Sequence, residues 1–140
     1  MITKPRKRKR RDPRPLKEDP IHKFAIQLLQ FNAVPNLIYY HAPNGARMSE
    51  RTVGYMKSLG MLPGVADLSI VLPGGRACFL EFKREHGGET SAAQDAFRDL
   101  CRRNGTPYEI ANTPDEVTRI LTAWGAIGRP AQPIAMARAA

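Results

Sequence analysis

The sequence predicts an α/β fold in which helices flank a central, mixed four-stranded sheet. The main observation is the order of segments: runs with helical spacing of apolar residues and short β-prone runs follow one another as α, β, α, β, β, α, β, α. A Pro-Gly-Gly sequence joins the second and third strands as a hairpin. About 12 residues of predicted helix separate the third strand from the fourth, a length that suits a right-handed crossover to a parallel neighbour.

The first half of the chain provides two helices and one strand. Residues 18–20 supply an N-cap followed by proline at the first helical position, and apolar side chains then recur at helical spacing. Residues 37–40 are β-prone, and turn-forming residues at 41–45 end this strand. Ser49 can cap a second helix that runs to about Leu59.

The second half begins with the hairpin, whose strands are predicted at 66–72 and 76–83. Ser91 and Gln94 form a potential capping box that opens the third helix. A fourth strand is expected at 108–111, directly before a second potential capping box and the last helix. The apolar faces predicted for these two helices are Ala93, Phe97, Leu100 and Cys101, and Val117, Ile120, Leu121 and Trp124.

The positive charge of the chain is concentrated at its N-terminus. Nine Lys and Arg residues against one Asp give +8 within residues 1–17, whereas the whole chain carries +9. Such a run buries too little apolar surface to order itself, so we expect residues 1–17 to be a disordered basic arm that contacts a polyanion. The alternatives are an aid to solubility and an import signal. Residues 18–125 are predicted to form one domain and residues 126–140 a flexible tail.

The composition also excludes several classes of protein. Cys78 and Cys101 are isolated and lack metal-binding spacing, which indicates core packing rather than a disulfide framework or a zinc site. No apolar run approaches the roughly 18 residues of a membrane span, and the N-terminus lacks the apolar stretch of a signal peptide. We expect a cytoplasmic protein of a bacterial or phage-host cell without a membrane partner. A nuclear location stays open, because the arm would also serve as an import signal.

Three ionisable residues are predicted to converge at the open end of the hairpin. Alternation along the third strand places Glu81 and Lys83 on one face. Leu72 pairs with Arg76 if the Pro-Gly-Gly loop contains three residues. Asp67 then lies directly opposite Glu81, with the two Cβ atoms roughly 4.5 to 5.5 Å apart. A two-residue turn would instead shift the register by one and move Asp67 to the other face.

These three residues suggest a metal site. Two opposed carboxylates repel each other unless a positive charge lies between them, and Lys83 answers this only in part. Oxygen ligands suit Mg²⁺ or Mn²⁺, which can bind a phosphate oxygen and lower the pKa of a bound water, with Lys83 orienting that water. The alternative is a solvated charge cluster across two strands, and spacing alone gives the two interpretations equal weight.

Sequence motifs around these residues are similar to those of the VRR-NUC nucleases, a branch of the PD-(D/E)XK superfamily. The similar segments are Gly64-Val65-Ala66-Asp67-Leu68, Phe79-Leu80-Glu81-Phe82-Lys83, Ser91-Ala92-Ala93-Gln94, His41-Ala42-Pro43-Asn44-Gly45 and Asn112-Thr113-Pro114-Asp115-Glu116. Together they span roughly residues 20–124. Ala66 is a departure from the pattern, because the superfamily motif usually has proline before the aspartate.

This resemblance implies a restriction-endonuclease-like core and hydrolysis of phosphodiester bonds. It implies that Asp67, Glu81 and the Phe82 carbonyl bind Mg²⁺ or Mn²⁺, and that Lys83 lies near the attacking water. Gln94 matches a family position whose side chain approaches the site, although its capping-box role explains it equally well. Many members also carry an acidic residue on the first helix. The candidates for that role here are Glu18 and His22.

Further polar residues are candidates for substrate binding. Some lie in a Pro/Gly loop after the first strand, where side chains can reach phosphates or bases. These are His41, Asn44 and Arg47, and loop capping explains His41 better. Others qualify by charge and position, with a solvated rim as the alternative. These are Lys57, Arg84 and His86.

The leading hypothesis is a Mg²⁺- or Mn²⁺-dependent endonuclease acting on DNA, with branched or flapped DNA as a candidate substrate. Cutting both arms of a junction needs two active sites, so a homodimer is a candidate assembly. The alternatives are a catalytically silent nucleic-acid-binding module and a protein-interaction domain whose sheet face is merely polar. Metal-dependent cleavage separates the first hypothesis from the second, and salt-dependent DNA binding separates both from the third.

Overall fold

The structure is a computed structural model that describes residues 19–42 and 48–128. The predicted order of helices and strands is confirmed. The helices are α1 (Asp19–Asn32), α2 (Glu50–Ser58), α3 (Ala92–Arg103) and α4 (Pro114–Trp124). The strands are β1 (Ile38–His41), β2 (Leu68–Val71), β3 (Ala77–Phe82) and β4 (Tyr108–Ala111). The arm predicted at 1–17 lies outside the described residues, as do Glu18, Asn44 and Arg47.

The four strands form one mixed sheet in the order β1-β2-β3-β4. β1 pairs with β2, and β2 with β3, in antiparallel orientation, whereas β3 and β4 are parallel. The connection between the parallel strands runs through α3, because parallel neighbours need a crossover of about a dozen residues or more. The predicted α/β fold with a mixed four-stranded sheet is therefore confirmed.

The β2–β3 hairpin has the predicted register. Leu68 lies opposite Leu80, and the N–H of Leu72 donates to the carbonyl of Arg76 at 2.8 Å, which leaves a three-residue loop between them. The two loop glycines have φ values of +97° and +94°, a region of the backbone map that glycine adopts without steric cost. The odd loop length thus places Asp67 and Glu81 on the same face of the sheet.

Apolar side chains fill both sides of the sheet. The main core lies between one face of the sheet and helices α1 and α4. Its largest buried members are Leu29, Leu68, Ile70, Leu80, Phe82, Val117, Ile120 and Leu121. A smaller cluster, comprising Ala66, Phe97 and Cys101 with Phe79 and Tyr108 packed against it, lies on the opposite face under α3. Cys78 and Cys101 are free and buried, as the sequence predicts.

Two features of the last helices differ from the prediction. Leu100 is 47% exposed, because α3 contacts the sheet along a narrow stripe. The buried residues of this helix are Phe97 and Cys101. In the second predicted capping box, the hydroxyl of Thr113 accepts from the N–H of Glu116, but the Glu116 carboxylate accepts from the N–H of Asn112 rather than that of Thr113.

The folded part of the chain continues past the predicted boundary at residue 126. Ala126 and Ile127 are buried in the main core, and Ile127 forms a β-bridge with Ala33. The assignment of these two residues to a flexible tail is therefore wrong, because their apolar side chains complete the packing around α1. Within residues 19–42 and 48–128, none of the helices has both the length and the apolar character that a membrane crossing requires.

Candidate active site

Asp67, Glu81 and Lys83 meet at the end of the hairpin, as the register predicts. The Asp67 carboxylate accepts a hydrogen bond from the N–H of Phe82 at 2.9 Å. The main-chain N–H of Phe82 thus binds a side chain instead of a strand carbonyl, and β2 begins at the next residue, Leu68. The Lys83 ammonium lies 2.9 Å from Glu81 Oε1. Glu81 is 1% exposed and Lys83 5% exposed. The alternative of a solvated charge cluster is therefore wrong, because α3 covers this end of the sheet.

Gln94 connects α3 to both charged side chains. Its Oε1 accepts from the N–H of Ser91 at 2.9 Å, which completes the predicted capping box, and it also accepts from Lys83 at 3.0 Å. Its Nε2 donates to Glu81 Oε1 at 2.6 Å. The two interpretations of Gln94 are thus both correct, since one amide caps the helix and reaches the site. The capping box fixes where α3 begins and thereby where this amide lies.

The electrostatics of the site centre on Glu81. Burial raises the pKa of its carboxyl group, and the neighbouring Asp67 carboxylate raises it further, whereas the hydrogen bond and charge of Lys83 and the main-chain N–H of Asp67 lower it. One carboxylate oxygen, Oε1, is bound by Lys83 and Gln94. The other oxygen, Oε2, is buried and has no hydrogen-bond partner in the protein. A buried, unpaired acceptor beside a second carboxylate is an arrangement that a cation would stabilise.

Two histidines flank Asp67. The Nδ1 atom of His41 lies 2.6 Å from the main-chain oxygen of Asp67, and since a carbonyl only accepts, this ring nitrogen carries the proton. His22 on α1 meets the ring of His41 edge-on at 4.6 Å and stacks on Phe82 at 4.7 Å. Burial, followed by His41, lowers the pKa of His22, while Asp67 and Asp19 raise it. The first-helix candidate His22 therefore lies beside the site, whereas Glu18 is outside the described residues.

Other predicted site residues are not brought together with this cluster. Lys57 is exposed on α2, a helix without buried residues. Arg84 and His86 are exposed after β3, and the main-chain carbonyl of Arg84 accepts from the side chain of Asn112 at 2.9 Å. Charge and position remain the basis for considering these three residues as substrate contacts.

Three residues near the site were not candidates from the sequence. Asp19, considered only as a capping residue, shares with His22 a surface cavity of about 310 Å³ along α1. Tyr108 lies on the same face of the sheet as Glu81, Arg98 lines a cavity with Tyr108, and each of the two has a buried polar atom without a partner. The sequence did contain a signal for Tyr108 and Arg98. Tyr108 and Ile110 share one face of β4, and Ile110 pairs with Glu81. Arg98 follows Gln94 by one turn of α3.

No protein-family model matches the sequence, and no curated protein matches it. The structure, however, resembles solved structures. A "VRR_NUC domain protein" superposes with a TM-score of 0.66 at 17% identity, covering 82% of this chain and 93% of that one. The chain has the VRR_NUC fold. A second structure, described as "VRR_NUC domain", superposes with a TM-score of 0.53 at 17% identity, covering 76% of this chain and 96% of that one.

In this VRR_NUC fold the residues of the hairpin fit a divalent cation. Within the described parts of the chain, no three His, Cys, Asp or Glu side chains form a group that could hold a metal ion on their own. The ligand set expected here contains only two such side chains, the carboxylates of Asp67 and Glu81, together with the main-chain carbonyl of Phe82. Glu81 Oε2 is a buried acceptor without a protein partner, and oxygen ligands of this kind suit Mg²⁺ or Mn²⁺.

Proposed function

We propose that this chain is a Mg²⁺- or Mn²⁺-dependent nuclease that hydrolyses phosphodiester bonds in DNA. The observation that carries the proposal is the environment of Glu81. Its Oε1 is held by Lys83 and Gln94, and its Oε2 is buried and unpaired beside Asp67. A buried acceptor without a partner costs about 1 to 3 kcal/mol, and a bound cation would remove that cost. The VRR_NUC fold supports the same reaction class.

Asp67, Glu81 and the Phe82 carbonyl would hold the cation. When bound, a divalent cation supplies Lewis-acid chemistry, offsetting negative charge that develops on a phosphate oxygen. Asp67 is oriented for this role from two directions: the N–H of Phe82 binds its carboxylate, and the ring of His41 binds its main-chain oxygen. These contacts hold the carboxylate still before a ligand arrives, which lowers the cost of binding.

Lys83 positions the attacking water. Its ammonium group has three N–H donors. One points to Glu81 Oε1 and one to Gln94 Oε1, at 2.9 and 3.0 Å. The third is left for a water molecule or a phosphate oxygen, and the fixed charge offsets the negative charge of the transition state. His22 takes the first-helix position of the site, because it stacks on Phe82 and interacts electrostatically with Asp67.

The test is cleavage of a DNA panel by the purified full-length chain. The panel contains single-stranded, duplex, flapped and four-way branched DNA, each incubated with Mg²⁺, Mn²⁺ or EDTA. We expect cleavage that requires a metal and that falls by at least about a hundredfold in Glu81→Gln, since this change removes one charge with little change of shape. Glu85→Gln, which neutralises an exposed carboxylate nearby, is the matched control and keeps wild-type activity.

A different result would identify the silent binding module instead. In that case wild-type protein leaves every DNA intact with either metal, while it still binds DNA with an affinity that falls as salt rises. Cleavage that persists unchanged in Glu81→Gln would exclude this carboxylate from the reaction.

A further inference from the structure

Within the described residues, four side-chain polar atoms are buried without a hydrogen-bond partner in the protein: Ser69 Oγ, Glu81 Oε2, Tyr108 Oη and Arg98 Nε. Glu81, Tyr108 and Arg98 belong to three neighbouring elements, β3, β4 and α3. Their hydrogen-bonding capacities are complementary: a carboxylate oxygen only accepts, a guanidinium N–H only donates, and a phenol hydroxyl does both. A chain that runs from Arg98 through Tyr108 to Glu81 would satisfy all three.

The fold places Tyr108 next to Glu81 on one face of the sheet and Arg98 next to Tyr108. Glu81 pairs with Ile110 in the parallel register of β3 and β4, so Tyr108, two residues earlier on β4, lies on the same face as its diagonal neighbour. Arg98 follows Gln94 by one turn of α3, and Gln94 already binds Glu81. Arg98 and Tyr108 also share a cavity of about 170 Å³ between α3 and β4.

The surroundings hold both side chains in place. The two terminal nitrogens of Arg98 each contact a carboxylate, of Asp95 at 3.0 Å and of Asp99 at 3.5 Å, whereas Nε is buried and has no partner in the protein. The ring of Tyr108 packs edge-on against Phe97 at 6.0 Å. Burial and then the charge of Glu81 raise the pKa of the Tyr108 hydroxyl, and Arg98 lowers it, so Tyr108 is within electrostatic reach of both.

We propose that Tyr108 and Arg98 are positioning residues for Glu81. A water molecule accepts from the Arg98 Nε–H and donates to Tyr108 Oη, and a second water molecule accepts from the Tyr108 hydroxyl and donates to Glu81 Oε2, because none of the three atoms has a direct partner in the protein. Oε2 keeps a second lone pair for a cation. This inference rests on the proposed function, in which Glu81 is a metal ligand, and hydrogen bonds to a ligating carboxylate orient it and strengthen metal binding.

The first test measures Mn²⁺ affinity directly by isothermal titration calorimetry, without DNA. Tyr108→Phe removes one hydroxyl and keeps the ring, and we expect it to weaken Mn²⁺ binding about 10- to 100-fold. Tyr39→Phe is the matched control, because Tyr39 packs against the main core on the other face, and its affinity stays at the wild-type value. An affinity of Tyr108→Phe within about twofold of wild type overturns the proposal.

The second test asks whether Arg98 acts through Tyr108. Arg98→Lys keeps the charge beside Asp95 and Asp99 but removes the Nε donor, and it should weaken Mn²⁺ binding in the wild-type background. In the Tyr108→Phe background it should have no further effect, since the link is already broken. Additive losses in the double variant overturn the role of Arg98. Arg102→Lys, exposed and one turn further along α3, is the control.

A third measurement separates this inference from the proposed function. If wild-type protein shows no Mn²⁺ binding that depends on Glu81, the proposed metal site is wrong. Urea unfolding then tests whether the Tyr108 hydroxyl still interacts with Glu81. A hydroxyl linked to Glu81 through water gives Tyr108→Phe a lower unfolding midpoint than wild type. An unpaired hydroxyl gives an equal or higher midpoint, because its removal relieves a buried, unsatisfied group, and that result overturns the link.

Discussion

Glu81 and Lys83 form an ion pair from which water is almost excluded. Desolvation of two charges opposes the attraction between them, so a buried pair of this kind adds little net stability compared with apolar side chains of the same size. Asp67 makes the charged form of Glu81 still less favourable, since its carboxylate raises the pKa of Glu81. Packing therefore gives no reason for these three residues to lie together, whereas the binding of a cation and a phosphate does.

Gln94 offers a prediction at the level of a single residue. Gln94→Ala removes the amide from both Glu81 and Lys83, and we expect DNA cleavage to fall about 10- to 100-fold, as for other residues that orient metal ligands. Ser91→Ala removes the reciprocal half of the same capping box and should cost about 1 kcal/mol of stability with activity retained. Equal activity of the two variants would reduce Gln94 to a capping residue.

At the level of elements, the site depends on how α3 meets the loop before β2. An added Cβ at Gly64 would lie 2.2 Å from the main-chain oxygen of Ala93, in the first turn of α3, so only glycine permits this approach. The φ of Gly64, +81°, imposes the same requirement. This contact and the capping box together determine where α3 begins relative to the hairpin. The position of Gln94 over Glu81 follows from it.

Gly64→Ala is therefore expected to displace the first turn of α3. The main chain cannot yield as a flexible side chain can, so we expect a loss of about 1 to 3 kcal/mol in the free energy of unfolding and a fall in DNA cleavage. Gly74→Ala is the matched control, because its φ is +97° but nothing lies within 4 Å of the added Cβ. Urea unfolding and cleavage assays should show a stability loss in both variants and a loss of activity in Gly64→Ala alone.

At the scale of the whole molecule, most of the positive charge and the candidate active site lie in different parts of the chain. Residues 1–17 carry +8 of the total of +9, and the remainder is nearly neutral. A compact domain with so little net charge has a weak long-range attraction for DNA, whereas a basic segment provides affinity that does not depend on sequence. We therefore propose that the basic arm chiefly recognises the phosphate backbone and that the chemistry takes place at the hairpin.

Removal of residues 1–17 tests this division. We expect the truncated protein to bind duplex DNA more weakly and with a smaller dependence of log affinity on log salt, because each lost phosphate contact lowers the slope by about 0.9. Cleavage at saturating DNA should be retained. Fluorescence anisotropy across a series of salt concentrations gives the slope, and an unchanged slope would remove the arm from DNA binding.

Most of the fold could be predicted from the sequence because its signals are local. Helical spacing, capping residues and the three-residue Pro-Gly-Gly loop are each contained within a few neighbouring positions, and they gave the element order and the hairpin register. The register in turn placed Asp67 opposite Glu81 without knowledge of the tertiary structure. Chain ends and exposure were less predictable, as Leu100 and Ile127 demonstrate, because both depend on what packs against them.

The sequence by itself determined the order of elements, the hairpin register and the set Asp67, Glu81 and Lys83. Only the tertiary structure decided that Glu81 and Lys83 are buried, that Gln94 binds both of them, and that Tyr108 lies on the same sheet face as Glu81. The physical reason is that strand alternation and turn geometry act between near neighbours in the chain. Desolvation and hydrogen bonding across α3 arise only when segments distant in sequence pack together.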